Sequence, residues 1–345
     1  MKYIIKHRYL LSLIFIITWG AFLRLFRIQT IPPGLYPDVA ANGLDAQDIL
    51  NGRILPFYHR NGGREGMLFY VAAFFLTLLG NKPLALYLAS SFVGIITIPI
   101  MYLFGKTFYN QRIALISTFF LACSFYHINF SRLGYRVILL PIFLMLPLIT
   151  LKKAFMTREK KGWLLAGMIF SLGFYTYIAY RIFPLLLISI WFISRKKTNL
   201  KKSELSYFLT SAFVILVPLI IYTLRFPVDV FNRILNANAL SDPIFNQVIS
   251  ILNMLHVSGD PLKQYNIANE PILTLWEGLI FFIGFFYLVK HRKKVSNLII
   301  LILFGGMLLP VMFSKGAPHS LRGLGMVTPI YYIFGSRIRQ NLHFY

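Results

Sequence analysis

Long apolar runs alternate with short polar clusters along almost the whole chain. Ten of the runs read as membrane-crossing helices: residues 9–28, 84–104, 113–130, 137–151, 162–180, 181–194, 205–224, 272–290, 296–313 and 323–335. Several approach the roughly 20 residues that a helix needs to cross about 30 Å of hydrocarbon. The fold class this predicts is an all-α polytopic membrane protein, with residues 1–345 as one transmembrane domain of about ten helices. Two long polar segments interrupt it, residues 29–83 and 225–271. Within the first lies a further apolar run, Met67 to Leu79. It is too short to cross and fits a helix lying at the membrane interface.

That run decides the orientation. Basic clusters at Lys152/Lys153/Lys160/Lys161, Arg195/Lys196/Lys197/Lys201/Lys202 and Lys290/Arg292/Lys293/Lys294 sit between apolar runs, and Lys2, Lys6 and Arg8 precede the first. If residues 67–79 crossed, every later basic loop would lie opposite the basic N-terminus. With that run at the interface they share its side, which excess Lys and Arg mark as cytoplasmic. Lys and Arg then divide as 21 inside and 14 outside of the 35. The 11 carboxylates divide the other way, with Glu159 and Glu204 inside and 9 outside. Carboxylates contribute little to topology, so their crowding outside calls for a functional explanation.

Composition agrees with lipid as the main solvent: 57% of residues are hydrophobic, 17% aromatic and 13% charged. The formal charge of +24 would suggest a nucleic-acid partner in a soluble protein. Here the charge lies in short loops and no recognition module is present, which excludes that class. The single cysteine, Cys123, excludes a disulfide framework. Leu10 to Trp19 behind a basic start has the look of a signal peptide, but the run continues to Ile28 without a small-x-small site and reads as an uncleaved first span.

The candidate chemistry follows the first span. Pro32, Pro33, Gly34 and Pro37 force an extended turn, and Asp38 opens a helical stretch to about Leu50. As a helix N-cap, Asp38 would accept backbone N–H bonds. As a general base held at the membrane surface, with Asp45 and Asp48 nearby, it would take a proton from an attacking acceptor. The loop Tyr58-His59-Arg60-Asn61-Gly62-Gly63-Arg64-Glu65-Gly66 reads either as a solvated turn with an Arg64–Glu65 surface pair or as a loop that positions an anion or acceptor.

Three external turns end in arginine. They are Ser131 to Arg136, with Arg132 and Tyr135; Tyr175-Thr176-Tyr177-Ile178-Ala179-Tyr180-Arg181; and Lys315 to Arg322, with His319. Aromatic belts explain the tyrosines, and arginines at an interface can snorkel to headgroups. Repeated arginine on the side without a positive bias instead suggests one shared anionic ligand, a lipid phosphate, gripped by planar forks of donors. Gly105-Lys106-Thr107 is not a phosphate loop, because Ile100 stands where the upstream glycine is needed. No metal-ligand spacing occurs, so a required metal is unsupported, although external carboxylates leave a loosely held divalent ion open.

These motifs together resemble the polyprenyl-phosphate-sugar-dependent membrane glycosyltransferases of the C-type fold, in the protein mannosyltransferase and aminoarabinose transferase group. The likeness rests on a first span, the acidic loop at Pro37-Asp38, Asn61 to Glu65, an interfacial helix, Ser131 to Arg136, Tyr175 to Arg181 and His319 to Arg322. It extends over nearly the whole chain. The resemblance implies a bacterial plasma-membrane enzyme, N-terminus cytoplasmic, that moves a sugar from a polyprenyl-phosphate donor to a hydroxyl or phosphate acceptor on the external face. Asp38 would be the catalytic base and the anomeric centre would invert. Asp45, Arg64, Glu65, Arg132, Tyr135, Arg136, Tyr175, Tyr177, Arg181, His319 and Arg322 would bind substrate. The second acidic position of the family's loop is Val39 here, which weighs against metal dependence. The chain stops ten residues after its tenth predicted span, as a compact or a truncated member would. The competing reading is a transporter or flippase of lipid-linked glycans, which would need ionisable residues in mid-span.

Overall fold

The structure, a computed structural model, describes residues 2–195, 198–235, 244–313 and 318–338. Lys196, Lys197 and the start of the third arginine turn, Lys315-Gly316-Ala317, lie outside the described residues. The described chain is helical apart from one small hairpin. In order the helices are α1 (Lys2–Leu25), α2 (Pro37–Leu50), α3 (Met67–Leu79), α4 (Pro83–Phe108), α5 (Gln111–Cys123), α6 (Phe125–Arg132), α7 (Leu140–Thr157) and α8 (Lys160–Leu172). They continue with α9 (Phe183–Ser194), α10 (Lys202–Arg225), α11 (Pro227–Leu235), α12 (Ile244–His256), α13 (Leu275–Lys290), α14 (Val295–Met312), α15 (Ser320–Gly323) and α16 (Val327–Ile338). Strands β1 (Phe57–Tyr58) and β2 (Arg64–Glu65) pair antiparallel ahead of α3.

Every predicted span contains a helix, and the protein is an integral membrane protein. Among the described residues, five helical stretches are long and apolar enough to cross a membrane: His7–Leu25, Pro83–Phe108, Arg136–Thr157, Lys202–Arg225 and Val295–Met312. Counted together, α5 and α6 make a sixth, bent by 56°. Two of the predicted runs are interrupted. Ser124 ends α5 and caps α6 by accepting from the His127 N–H at 3.2 Å, so the run 113–130 breaks there. The run 162–180 ends as a regular helix at Leu172 and continues in 3-10 turns.

The core gathers around α4 and the Arg136–Thr157 stretch, which are 61% and 72% buried, whereas α1 and α10 are peripheral at 17% and 22%. Buried arginines tie the periphery to the core. Arg24 of α1 is fully buried and donates to the carbonyls of Gly20 (2.8 Å), Ala122 (3.0 Å) and Leu121 (3.4 Å), and it meets His127 Nδ1 at 2.8 Å. It thereby supplies a donor to the Ala122 carbonyl at the break after α5, and a second one to the Leu121 carbonyl, which also accepts from the Ser124 N–H at 3.3 Å. Capping follows ordinary chemistry elsewhere: Pro37 and Pro83 open α2 and α4, Asn110 caps α5, and Thr274 with Glu277 forms a capping box on α13.

Candidate functional site

A cavity of about 590 Å³ opens among the segments that join these helices. Four arginines, Arg64, Arg136, Arg181 and Arg322, share its lining with Asp38. Asn42, Tyr135, Tyr177, Tyr265 and His319 complete the polar wall, and Val137, Ile178, Leu309, Pro310 and Phe313 supply apolar surface. The arginines that end the three predicted turns thus reach one cavity.

Asp38 lies in the first turn of α2, but the N-cap is Tyr36, which makes no side-chain cap bond. The capping role is therefore corrected. The Asp38 carboxylate instead accepts a 2.9 Å bond from Asn61 Nδ2. Asp38, Asn42 and Asp45 recur at i, i+4 and i+7, one face of the helix. That face receives Arg64, which donates to Asn42 Oδ1 (2.6 Å), to the carbonyls of Asp38 (3.3 Å) and Ala41 (3.2 Å), and to Asp45. Arg60 closes the cluster on Asp45 at 2.5 Å and Asp48 at 2.6 Å, and its bond holds the Asp48 carboxyl below the usual carboxylate range.

The Arg64–Glu65 surface pair does not form. Hairpin pairing of Phe57 with Glu65 and Tyr58 with Arg64 turns both residues inward, to 1% and 2% exposure. The turn needs Gly63, whose φ is +92° and where a Cβ would lie 2.1 Å from the Asp229 carbonyl oxygen. Glu65 then binds Arg136 Nε at 3.1 Å and approaches Arg181 at 3.7 Å, while the Arg136 guanidinium sits 5.4 Å over the Tyr177 ring. The pattern is guanidiniums at the cavity with the carboxylates of Asp45 and Glu65 behind them. A carboxylate at the back of a guanidinium fixes the fork's orientation.

The turn before Arg136 is set by Gly134, at φ +80°, whose N–H donates to Ser90 Oγ (2.9 Å) and whose carbonyl accepts from Asn42 Nδ2 (2.9 Å). It anchors the Tyr135-Arg136 wall to α2 and α4. On the far side, Asp260 is fully buried and accepts from the N–H (2.7 Å) and hydroxyl (2.8 Å) of Ser320, fixing the turn that carries His319 and Arg322. His319 stacks on Tyr265 with centroids 5.0 Å apart. Burial, reinforced by Arg322 and opposed by Asp260 and Asp38, lowers its pKa to about 4, so the imidazole is neutral at pH 7.

Four predicted site residues do not line the cavity. Arg132 spends its guanidinium on the carbonyls of Leu23 (2.6 Å), Phe26 (2.6 Å) and Ile31 (2.8 Å), clamping the end of the first span. Tyr175 donates to the Ile215 carbonyl at 2.5 Å. Asp45 and Glu65 stand in the layer behind. Conversely, Asn42, Tyr265 and Asp260 were not singled out from sequence. Asn42 had a signal in its helical spacing from Asp38. Tyr265 and Asp260 come from an external segment whose packing no local pattern reveals.

Among the described residues no three His, Cys, Asp or Glu side chains converge on one point. Comparison with known proteins completes the picture. A family model described as dolichyl-phosphate-mannose-protein mannosyltransferase matches residues 66–222. No curated protein matches the chain. The oligosaccharyltransferase of Archaeoglobus fulgidus in its apo form superposes with a TM-score of 0.64 at 16% identity, over 99% of this chain and 52% of that one. The same archaeal enzyme with an inhibitory peptide and a dolichol-phosphate gives 0.62 at 15% identity, over 96% and 50%. The chain spans about half the length of these structures. In family model and in fold, then, this integral membrane protein resembles the C-type, lipid-phosphate-dependent membrane glycosyltransferases.

Proposed function

We propose that the protein is a membrane glycosyltransferase that moves a sugar from a polyprenyl-phosphate donor to an acceptor hydroxyl or phosphate. The observation that carries this reading is the meeting of Asp38 with Arg136, Arg181 and Arg322 in one cavity. The family description and the dolichol-phosphate bound by the archaeal relative support a lipid-phosphate donor. In this reading about ten helices cross a bacterial plasma membrane, the N-terminus is cytoplasmic, α3 lies at the interface and the cavity opens externally.

Asp38 takes the proton of the acceptor hydroxyl as the acceptor oxygen bonds to the anomeric carbon. The bond from that carbon to the phosphate oxygen breaks, and the polyprenyl phosphate leaves with the electron pair. A phosphate leaving group needs charge stabilisation rather than protonation. Preorganised guanidiniums in a water-poor cavity provide it. Attack by the acceptor on the face opposite the departing phosphate makes the displacement inverting.

Reconstitution into vesicles with polyprenyl-phosphate sugars tests the assignment. Asp38→Asn is expected to slow transfer by about 100-fold or more while donor still binds. Equal transfer by wild type and variant would remove Asp38 from the base role. Arg136→Ala and Arg322→Ala are expected to weaken donor affinity by roughly tenfold or more, the worth of a hydrogen bond to a charged group; unchanged affinity would sink the clamp. Movement of intact lipid-linked glycan across the bilayer, without transfer, would mark a flippase instead.

A further inference from the structure

Tyr135 forms part of the cavity wall and is 4% exposed. Its hydroxyl is buried, and among the described residues no group shares a hydrogen bond with it. Buried hydroxyls in folded proteins nearly always have a partner, so one without a partner on a residue of the cavity wall points to a partner on a ligand. The ring cannot turn away to find another. It is wedged edge-on between Phe130, at 6.1 Å, and Tyr265, at 5.6 Å, and its backbone is pinned by the Gly134 turn.

The place of this hydroxyl says which part of a substrate it meets. Tyr135 immediately precedes Arg136 of the anion clamp, and its phenol lies close enough to feel the charge of Asp38. In an in-line displacement the group between the base and the leaving phosphate is the sugar ring. Burial raises the phenol pKa, with Tyr265 and Asp38 adding to it, so the O–H stays protonated and able to donate.

We propose that the Tyr135 hydroxyl donates a hydrogen bond to a ring hydroxyl of the transferred sugar and so selects which sugar the cavity accepts. The inference rests on the donor reading above. A site built to bond a substrate hydroxyl discriminates strongly against the analogue that lacks it, because its own polar group is then left unpaired.

Two measurements on Tyr135→Phe decide the matter. Without donor, the purified variant is expected to melt at or above the wild-type temperature, since it loses a buried hydroxyl that has no partner. A lower melting temperature would show a protein partner and overturn the proposal. In vesicles, transfer is compared from a short-chain polyprenyl-phosphate mannose and the full set of its monodeoxy analogues. Wild type is expected to lose roughly 10- to 100-fold in kcat/KM on one analogue, and Tyr135→Phe to bring that ratio to about one. A ratio unchanged in the variant overturns the proposal, as does an effect confined to acceptor KM, which would move the hydroxyl to the acceptor. If wild type turns over no polyprenyl-phosphate hexose, pentose or amino sugar, the glycosyltransferase reading itself falls, and the sugar assignment with it.

Discussion

Asp38 and His319 face the same cavity from opposite ends of the chain, and each takes its character from what stands behind it. Asp38 sits at the positive end of α2, where a carboxylate is favoured, with Asn61 bonded to one oxygen. His319 is kept neutral by burial and by Arg322, against the pull of Asp260 and Asp38. Its folded pKa, about 4, lies below its ordinary 6.5, so the unfolded chain binds the extra proton more readily. The stability this residue contributes is complete above pH 6.5 and is lost as pH falls toward 4. Thermal unfolding should therefore show wild type losing on the order of 3 kcal/mol over that window relative to His319→Gln; parallel pH profiles would refute it. At this scale sequence is informative about kinds of residue and poor on their partners. The i, i+4, i+7 spacing of Asp38, Asn42 and Asp45 is legible from α2 alone. That Arg132 would be consumed by three carbonyls around the end of α1, and Tyr175 by one on α10, depends on chain segments far away in sequence.

At the scale of elements, hydropathy located the helices well and their interruptions poorly. Residues 113–130 are apolar throughout enough to read as one span, yet Ser124 divides them and the halves bend by 56°. Such a break is tolerable at membrane depth only if the freed backbone groups find partners inside the protein. Arg24 is that partner. Replacing it with methionine should leave the Leu121 and Ala122 carbonyls without its donors and cost on the order of 3 kcal/mol in denaturation measurements in detergent. Arg24→Lys, which keeps one charge but not the fork, should fall between; equal stability of all three proteins would show that the break stands unaided. Because α6 ends at Arg132 and leads directly into the Gly134 turn, loosening this joint should also slow transfer. The hairpin before α3 was harder still to foresee. Its two-residue strands carry no period, and only the burial of Arg64 and Glu65 reveals why Gly63 is needed there.

For the whole molecule, the proposed orientation makes a direct demand. In a Cys123→Ser background, a cysteine at Asn61 should react with a membrane-impermeant maleimide added to intact cells, and one at Glu159 only after the membrane is opened. The reverse pattern would invert the topology and turn the cavity to the cytoplasm. The helical character was legible because lipid imposes long apolar runs. The cavity was legible only in part, since its wall is assembled from residues 38, 64, 136, 181, 265 and 322, and no local rule brings these together. That dispersion has a consequence for the biogenesis of the protein. Contacts between distant parts of a chain form only after the intervening loops have closed, so the wall that carries His319 and Arg322 arrives last. During synthesis, a nascent chain that has delivered Asp38, Arg64, Arg136 and Arg181 still lacks the far side of the cavity. The cavity is complete only once residues 318–323 have emerged and docked on Asp260.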